Sequence, residues 1–150
     1  DPADPQRIAS LTESLGLERA AREWTLKSLG SKGSRLVFGS DWPSAPLNPM
    51  LEIHAAVNQA VPEGMPEEAW TPAERLDLKA ALAASTSAAA YASFDEQRKG
   101  LLKPGMLADL VVLSTDIFSA PPSGLAATPV AVTIFDGKIV YRKNAKLLTH

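Results

Sequence analysis

The chain has 150 residues, with 15 Lys and Arg against 17 Asp and Glu, a formal net charge of -2 and no cysteine. Its length allows one ordinary domain that buries roughly 70% of the surface exposed by the unfolded chain, and a nearly balanced charge without a long run of one sign argues against nucleic-acid binding. The lack of cysteine excludes disulfides, thiolate metal sites and cysteine nucleophiles, and no apolar run approaches the roughly 18 residues of a membrane span.

The reading is therefore a soluble chain with no nucleic-acid and no membrane partner; its localisation is unknown, with cytoplasmic as the default. Its opening, "DPADPQRIAS", begins with Asp1 and has neither the basic start nor the apolar centre of a signal peptide. An internal start within a longer sequence is expected.

From Pro5 to Leu15, the apolar residues Ile8, Leu11 and Leu15 recur at spacings of three and four, which predicts a helix with one buried face. A second helix is predicted from about Glu18 to Leu29, with Ala20, Ala21, Trp24 and Leu29 inward and Gly30 just past its end. "GSKGS", Gly30 to Ser34, has a phosphate-loop composition but not the Gly-x4-Gly-Lys-Ser/Thr spacing after a strand, so it reads as a connection. Leu36 to Phe38 then forms a continuous apolar run, predicting a short parallel strand covered on both faces.

A loop with three prolines spans Gly39 to Pro49, followed by a helix from about Met50 to Ala60 and a second loop to Trp70. Thr71-Pro72-Ala73-Glu74 has the form of a capping box with proline at the first helical position, predicting a helix to about Ala84. "TSAAAYASF" predicts a short alanine-rich helix to about Ser93. Beyond Phe94, "LADLVVLS", "AVTIFDG" and "KIVYR" are strand material. Asp136-Gly137 between two apolar runs signals a hairpin, and Lys103-Pro104-Gly105 signals a turn.

The rhythm up to Ser93 is that of a parallel α/β protein, in which functional groups collect at the carboxyl ends of strands. Asp41 lies three residues beyond the predicted strand, with Gly39 allowing a sharp turn and Pro43 stiffening the exit. Its carboxylate has two readings: a ligand for a divalent metal and acceptor of a proton from water, or an Asx turn or helix cap bonding backbone N–H groups. Trp42 likewise either walls a substrate pocket or packs beneath the loop.

The histidines do not complete a metal site. His54 lies within a predicted helix and reads as a core or helix-face residue, His150 is terminal, and no H-x-H, H-x3-H or H-E-x2-H occurs. Ser40, His54 and Asp41 do not make a catalytic triad, because there is no Gly-x-Ser-x-Gly elbow and adjacent Ser40 and Asp41 point apart if extended. Trp24 and Trp70 read as a helix-face and a loop-anchor residue. Glu63, Glu67 and Glu68 read as solvated loop carboxylates.

Taken in order, "LVFGSDWP", "LNPMLEIHAAVNQA", "WTPAERLDLKAALAASTSAAAYASF", "KGLLKPGMLADLVVLS" and "VTIFDGKIVYRK" resemble the carboxyl-terminal part of the amidohydrolase superfamily, specifically its family-3 metal-dependent hydrolases. The resemblance covers most of the chain from about Leu15. It departs at Ala88, where the family commonly has Asn, which bears on local capping.

The resemblance implies an α/β fold: the C-terminal portion of a (β/α)8 TIM-like barrel in residues 1–95, followed by strands of a small composite β-sandwich in residues 96–150. It implies Asp41 as metal ligand and catalytic proton acceptor at the end of the eighth barrel strand, with Trp42 a substrate-binding candidate. The implied cofactor is a divalent metal, zinc first, with manganese, magnesium and iron also compatible with one carboxylate. Its remaining ligands would come from outside this chain. The implied partners are a small-molecule amide-type substrate and the upstream part of the same enzyme or a second chain.

A lone parallel strand leaves ladder groups unpaired, so the 150 residues by themselves are expected to be inactive. The alternative is a non-catalytic truncated α/β module that forms a homo-oligomer or binds a partner through strand edges and apolar faces.

Overall fold

In a computed structural model, residues 5–60 and 71–143 are described. Trp70, Glu63, Glu67, Glu68 and His150 lie outside the described residues. Six α-helices are found among them: α1 (Pro5–Leu15), α2 (Leu17–Ala20), α3 (Leu26–Ser31), α4 (Pro49–Asn58), α5 (Leu78–Ser85) and α6 (Ser87–Ala92). Three strands follow, β1 (Leu110–Leu113), β2 (Val130–Phe135) and β3 (Lys138–Arg142), with 3₁₀ helices at Pro72–Glu74 and Pro122–Ala127.

α4 organises the core. Asn48 precedes Pro49, and its side chain accepts the Met50 N–H at 3.1 Å, satisfying an orphan donor of the first turn. Met50, Ile53 and Ala56 recur at three-residue spacings along the helix and pack with Leu76, Ala81, Ile117 and Leu125. The cluster therefore joins α4 and α5 to residues on both sides of β1.

Pairing at the end of α4 reinforces that junction. Gln59 adopts a left-handed conformation and donates its N–H to the Ala55 carbonyl at 2.8 Å. Leu76 N–H donates to the Ala56 carbonyl at 3.0 Å and Arg75 Nε to the Asn58 carbonyl at 3.0 Å. Otherwise unpaired carbonyls of the last turn are thus taken by protein donors. Asn58 Nδ2 reaches the Pro122 carbonyl at 3.0 Å, tying the helix to the second 3₁₀ segment.

The three strands form an antiparallel sheet in the order β1-β2-β3. Leu110 faces Ile134, Val112 faces Val132 and Thr133 faces Tyr141, with register shifts at Val112/Leu113 and Thr133/Ile134. Asp136 and Gly137 connect β2 to β3 with φ of 50° and 72°, the left-handed pair required by a two-residue hairpin turn. Asp136 N–H donates to Asp109 Oδ1 at 2.8 Å, fastening the turn beside the start of β1.

Three local expectations are corrected. The helix predicted from Glu18 to Leu29 is interrupted: Trp24 has φ of 52°, and α2 and α3 lie on either side. The segment Leu36–Phe38 belongs to no strand, because no neighbouring strand among the described residues offers it a ladder. Phe38 N–H instead donates to the Ala84 carbonyl at 3.1 Å. Val37 is 46% exposed, so the segment is not covered on both faces.

The third correction concerns the capping box. Thr71-Pro72-Ala73-Glu74 forms a 3₁₀ turn rather than the start of a long helix, and Asp77 caps α5 through Ala80 N–H at 2.7 Å. Glu74 accepts both the N–H and the hydroxyl of Ser28, at 2.8 and 2.5 Å, while the Thr71 hydroxyl donates to Gln59 Oε1 at 2.9 Å. These distant partners displace the local reciprocal cap. The described architecture is thus helices plus a small antiparallel sheet, and it does not itself contain a barrel. No helix among the described residues is long and apolar enough to cross a membrane.

Candidate functional site

The candidate site is the loop leaving Leu36–Phe38. Leu36 and Phe38 pack against the core, while Phe38 N–H is held by α5 and Gly39 N–H donates to Glu52 Oε1 at 3.0 Å. This bond joins the loop to α4, thirteen residues further along. Burial pushes the Glu52 carboxyl above the usual carboxylate range, with the Gly39 N–H opposing that rise.

Asp41 follows with φ of 48°, a left-handed conformation that aspartate tolerates better than most residues. Its carbonyl accepts the Ser44 N–H at 2.8 Å, and its Oδ2 accepts the Ser44 hydroxyl at 3.3 Å. The Trp42–Pro43 peptide within this turn is cis. Asp41 is exposed, and no described residue donates a hydrogen bond to Oδ1. The turn is closed by the Asp41 main-chain carbonyl, not by its carboxylate bonding backbone N–H groups as an Asx turn or helix cap would, and no hydrogen bond to Oδ1 is described.

One such oxygen fits a single position in a divalent metal's coordination shell, although structural and catalytic sites require several ligands. Among the described residues, no three His, Cys, Asp or Glu side chains gather into a group that could hold a metal ion. Asp41 therefore fits as a contributor to a site and does not constitute one alone.

Trp42 is 64% exposed and does not pack beneath its loop. A cavity of about 310 Å³ behind the loop is lined instead by Trp24, Phe38, Gly39, Ser40, Pro46 and Glu52, among others. Trp24 and Glu52 are additions that the sequence reading did not assign to the site. The Asn-Pro opening places Glu52 near the beginning of α4, but only the fold shows that its carboxylate reaches Gly39.

His54 is 3% exposed, and burial lowers its pKa from the ordinary value of 6.5. Its Nδ1 lies 3.2 Å from Asn58 Nδ2, a contact within α4. That pairing matches its reading as a core residue. No described hydrogen bond joins it to Ser40 or Asp41.

A larger groove of about 960 Å³ lies between α3, α5 and α6, with Lys27, Arg35, Arg75, Asp77 and Glu96 among its lining residues. The Arg35 guanidinium sits 3.6 Å from the centre of the Tyr91 ring. Gly30, Ser31 and Ser34 also face this groove; Gly30 and Ser31 belong to the last turn of α3 rather than lying past the helix end as expected, so the connection is Lys32 to Ser34, and a helix rather than a phosphate-loop strand precedes it.

Comparison with known proteins gives a match between residues 4–141 and the family described as "Amidohydrolase family". "Protein LONG AFTER FAR-RED 3" from Arabidopsis thaliana is 39% identical over 133 residues, covering 88% of this chain and 22% of that protein. "Putative amidohydrolase YtcJ" from Bacillus subtilis (strain 168) is 31% identical over 144 residues, covering 93% of this chain and 27% of that protein. The chain thus spans about a quarter of each of these relatives' lengths. No solved structure matches it significantly.

Proposed function

Because the chain belongs to amidohydrolase family 3, we propose that it contributes the carboxyl-terminal segment of a metal-dependent hydrolase acting on a carbon–nitrogen bond of a small amide-type substrate. The observation carrying this reading is the exposed Asp41 carboxylate on a constrained turn immediately after Leu36–Phe38. Residues 1–95 are assigned to a (β/α)8 barrel and residues 96–150 to a composite β-sandwich. The remaining ligands, substrate contacts and neighbouring strands come from an upstream part of the same enzyme or from a second chain.

A bound divalent metal, zinc in this proposal, would polarise the substrate carbonyl and increase the acidity of water. Asp41 would hold one position of that metal through its carboxylate, which would also accept the proton of the attacking water. It then returns that proton to the leaving nitrogen. Ser44, bonded to both the carbonyl and Oδ2 of Asp41, keeps the carboxylate turned outward. Trp42 supplies an exposed apolar surface for the substrate.

The sheet favours a second reading. Val111 and Val112 on β1 and Ile139, Val140 and Tyr141 on β3 are exposed, the surface expected of a non-catalytic module that associates with a partner or another copy.

Metal content and hydrolysis of an amide panel, measured for the 150 residues alone and for the longest natural protein containing them, distinguish the readings. The hydrolase reading expects turnover only in the longer protein. It also expects Asp41→Asn to reduce that turnover by about 10²–10⁴-fold. Metal-dependent turnover by the 150 residues alone would overturn the assignment of the other ligands to a region outside them. Unchanged turnover in Asp41→Asn would overturn the role of Asp41.

A further inference from the structure

We propose that Glu52 is the positioning residue that fixes the backbone approach to Asp41, an inference that rests on Asp41 being the functional carboxylate. Gly39 is two residues before Asp41, and its N–H bonds to Glu52 Oε1 at 3.0 Å. Beyond Gly39 and its two chain neighbours, no atom lies within 4 Å of where a Gly39 Cβ would stand, so side-chain crowding does not fix this permissive residue. The hydrogen bond supplies a directional restraint in its place.

The surrounding contacts explain why this restraint reaches the carboxylate. Glu52 occupies α4 between the buried Met50 and Ile53, which anchor its backbone in the core. The preceding Phe38 N–H is fixed to Ala84, and beyond the turn Ser44 N–H is fixed to the Asp41 carbonyl. Glu52 thus closes the interval between two backbone anchors. Removing its acceptor frees the Gly39-Ser40 link and broadens the positions available to Asp41, whose φ of 48° depends on the turn being maintained.

The test uses Glu52→Gln, Glu52→Ala and Glu52→Asp in the 150-residue chain, followed through the backbone amide resonances and hydrogen exchange of Gly39, Ser40 and Asp41. Glutamine retains an oxygen acceptor at the same reach and should preserve the Gly39 amide and the Asp41 resonance. Alanine removes the acceptor, and aspartate retains charge but shortens its reach. Both should lower Gly39 protection by about tenfold and shift the Asp41 resonance. If Ala does not fold, Asp and Gln still separate charge from reach.

In the longest natural protein, the same substitutions are tested for zinc and manganese affinity by calorimetry. Ala and Asp should weaken binding by about 10–100-fold, whereas Gln should remain near the original affinity. Unchanged Gly39 protection in both Ala and Asp overturns the restraint. Lost protection with unchanged Asp41 resonances and unchanged metal affinity overturns its positioning role. If the original protein binds neither metal, the metal-ligand reading of Asp41 fails, while the amide measurements still decide whether Glu52 positions the loop.

Discussion

The packing around α4 and the surface of β3 differ in how their apolar residues are covered. Ile53 and Leu125 lie in a cluster assembled from several parts of the chain, whereas Ile139, Val140 and Tyr141 remain exposed on a terminal strand of the sheet. Both regions contain residue types suited to burial. Their difference shows that apolar periodicity identifies a face, while the available neighbours decide whether that face becomes a core.

Core truncation provides the strongest test of this contrast. Ile53→Ala or Leu125→Ala should destabilise the chain by about 2–5 kcal/mol, measured by urea unfolding, through lost burial and a residual cavity. A loss below about 0.5 kcal/mol in both would show that this cluster is not the principal support of the described fold.

His54 extends the comparison to pH. Its folded-state pKa lies below the ordinary 6.5 because the ring is buried, so the unfolded chain acquires the proton first as pH falls. Its contribution is fully retained above that ordinary value and diminishes downward through it toward the folded value. Urea midpoints should decline from about pH 7.5 to about pH 5.5, and the decline should be smaller in His54→Gln. An identical pH dependence in the variant would contradict the assignment. The lowered Glu74, Asp95 and Asp116 groups titrate below the usual carboxylate range and do not supply this window.

On the open strand the effect should be smallest. Val140 is 61% exposed, so Val140→Thr should change the unfolding free energy by at most about 0.5 kcal/mol in urea titration. A loss above about 2 kcal/mol would reveal a folded-state contact covering that side chain and would collapse the distinction from the core.

The parts legible in the sequence were those governed by nearby residues. Apolar spacing located α1, alanine content located α6, and Asp136-Gly137 located the hairpin, while α4 was placed simply as the helix after the proline-rich loop. Asp41 stood out because it follows a short apolar run and opens a proline-rich loop. The capping motif at Thr71–Glu74 was less informative because Gln59 and Ser28 compete successfully for its side chains. Trp24 and Glu52 acquired their relation to the loop through tertiary packing, with Glu52 reaching Gly39 across the fold. Their residue types alone did not specify those partners.

The Asn58 side chain also gives the fold resistance to a particular kind of damage. Its amide bridges α4 to Pro122, alongside the shared packing of Ile53 with Ile117 and Leu125. A proteolytic nick after Ser93 would sever the covalent route between these regions without removing their noncovalent attachment. The cleavage products would therefore remain associated until the Asn58–Pro122 bond and the surrounding apolar cluster separated together, making peptide continuity and structural integrity distinct properties.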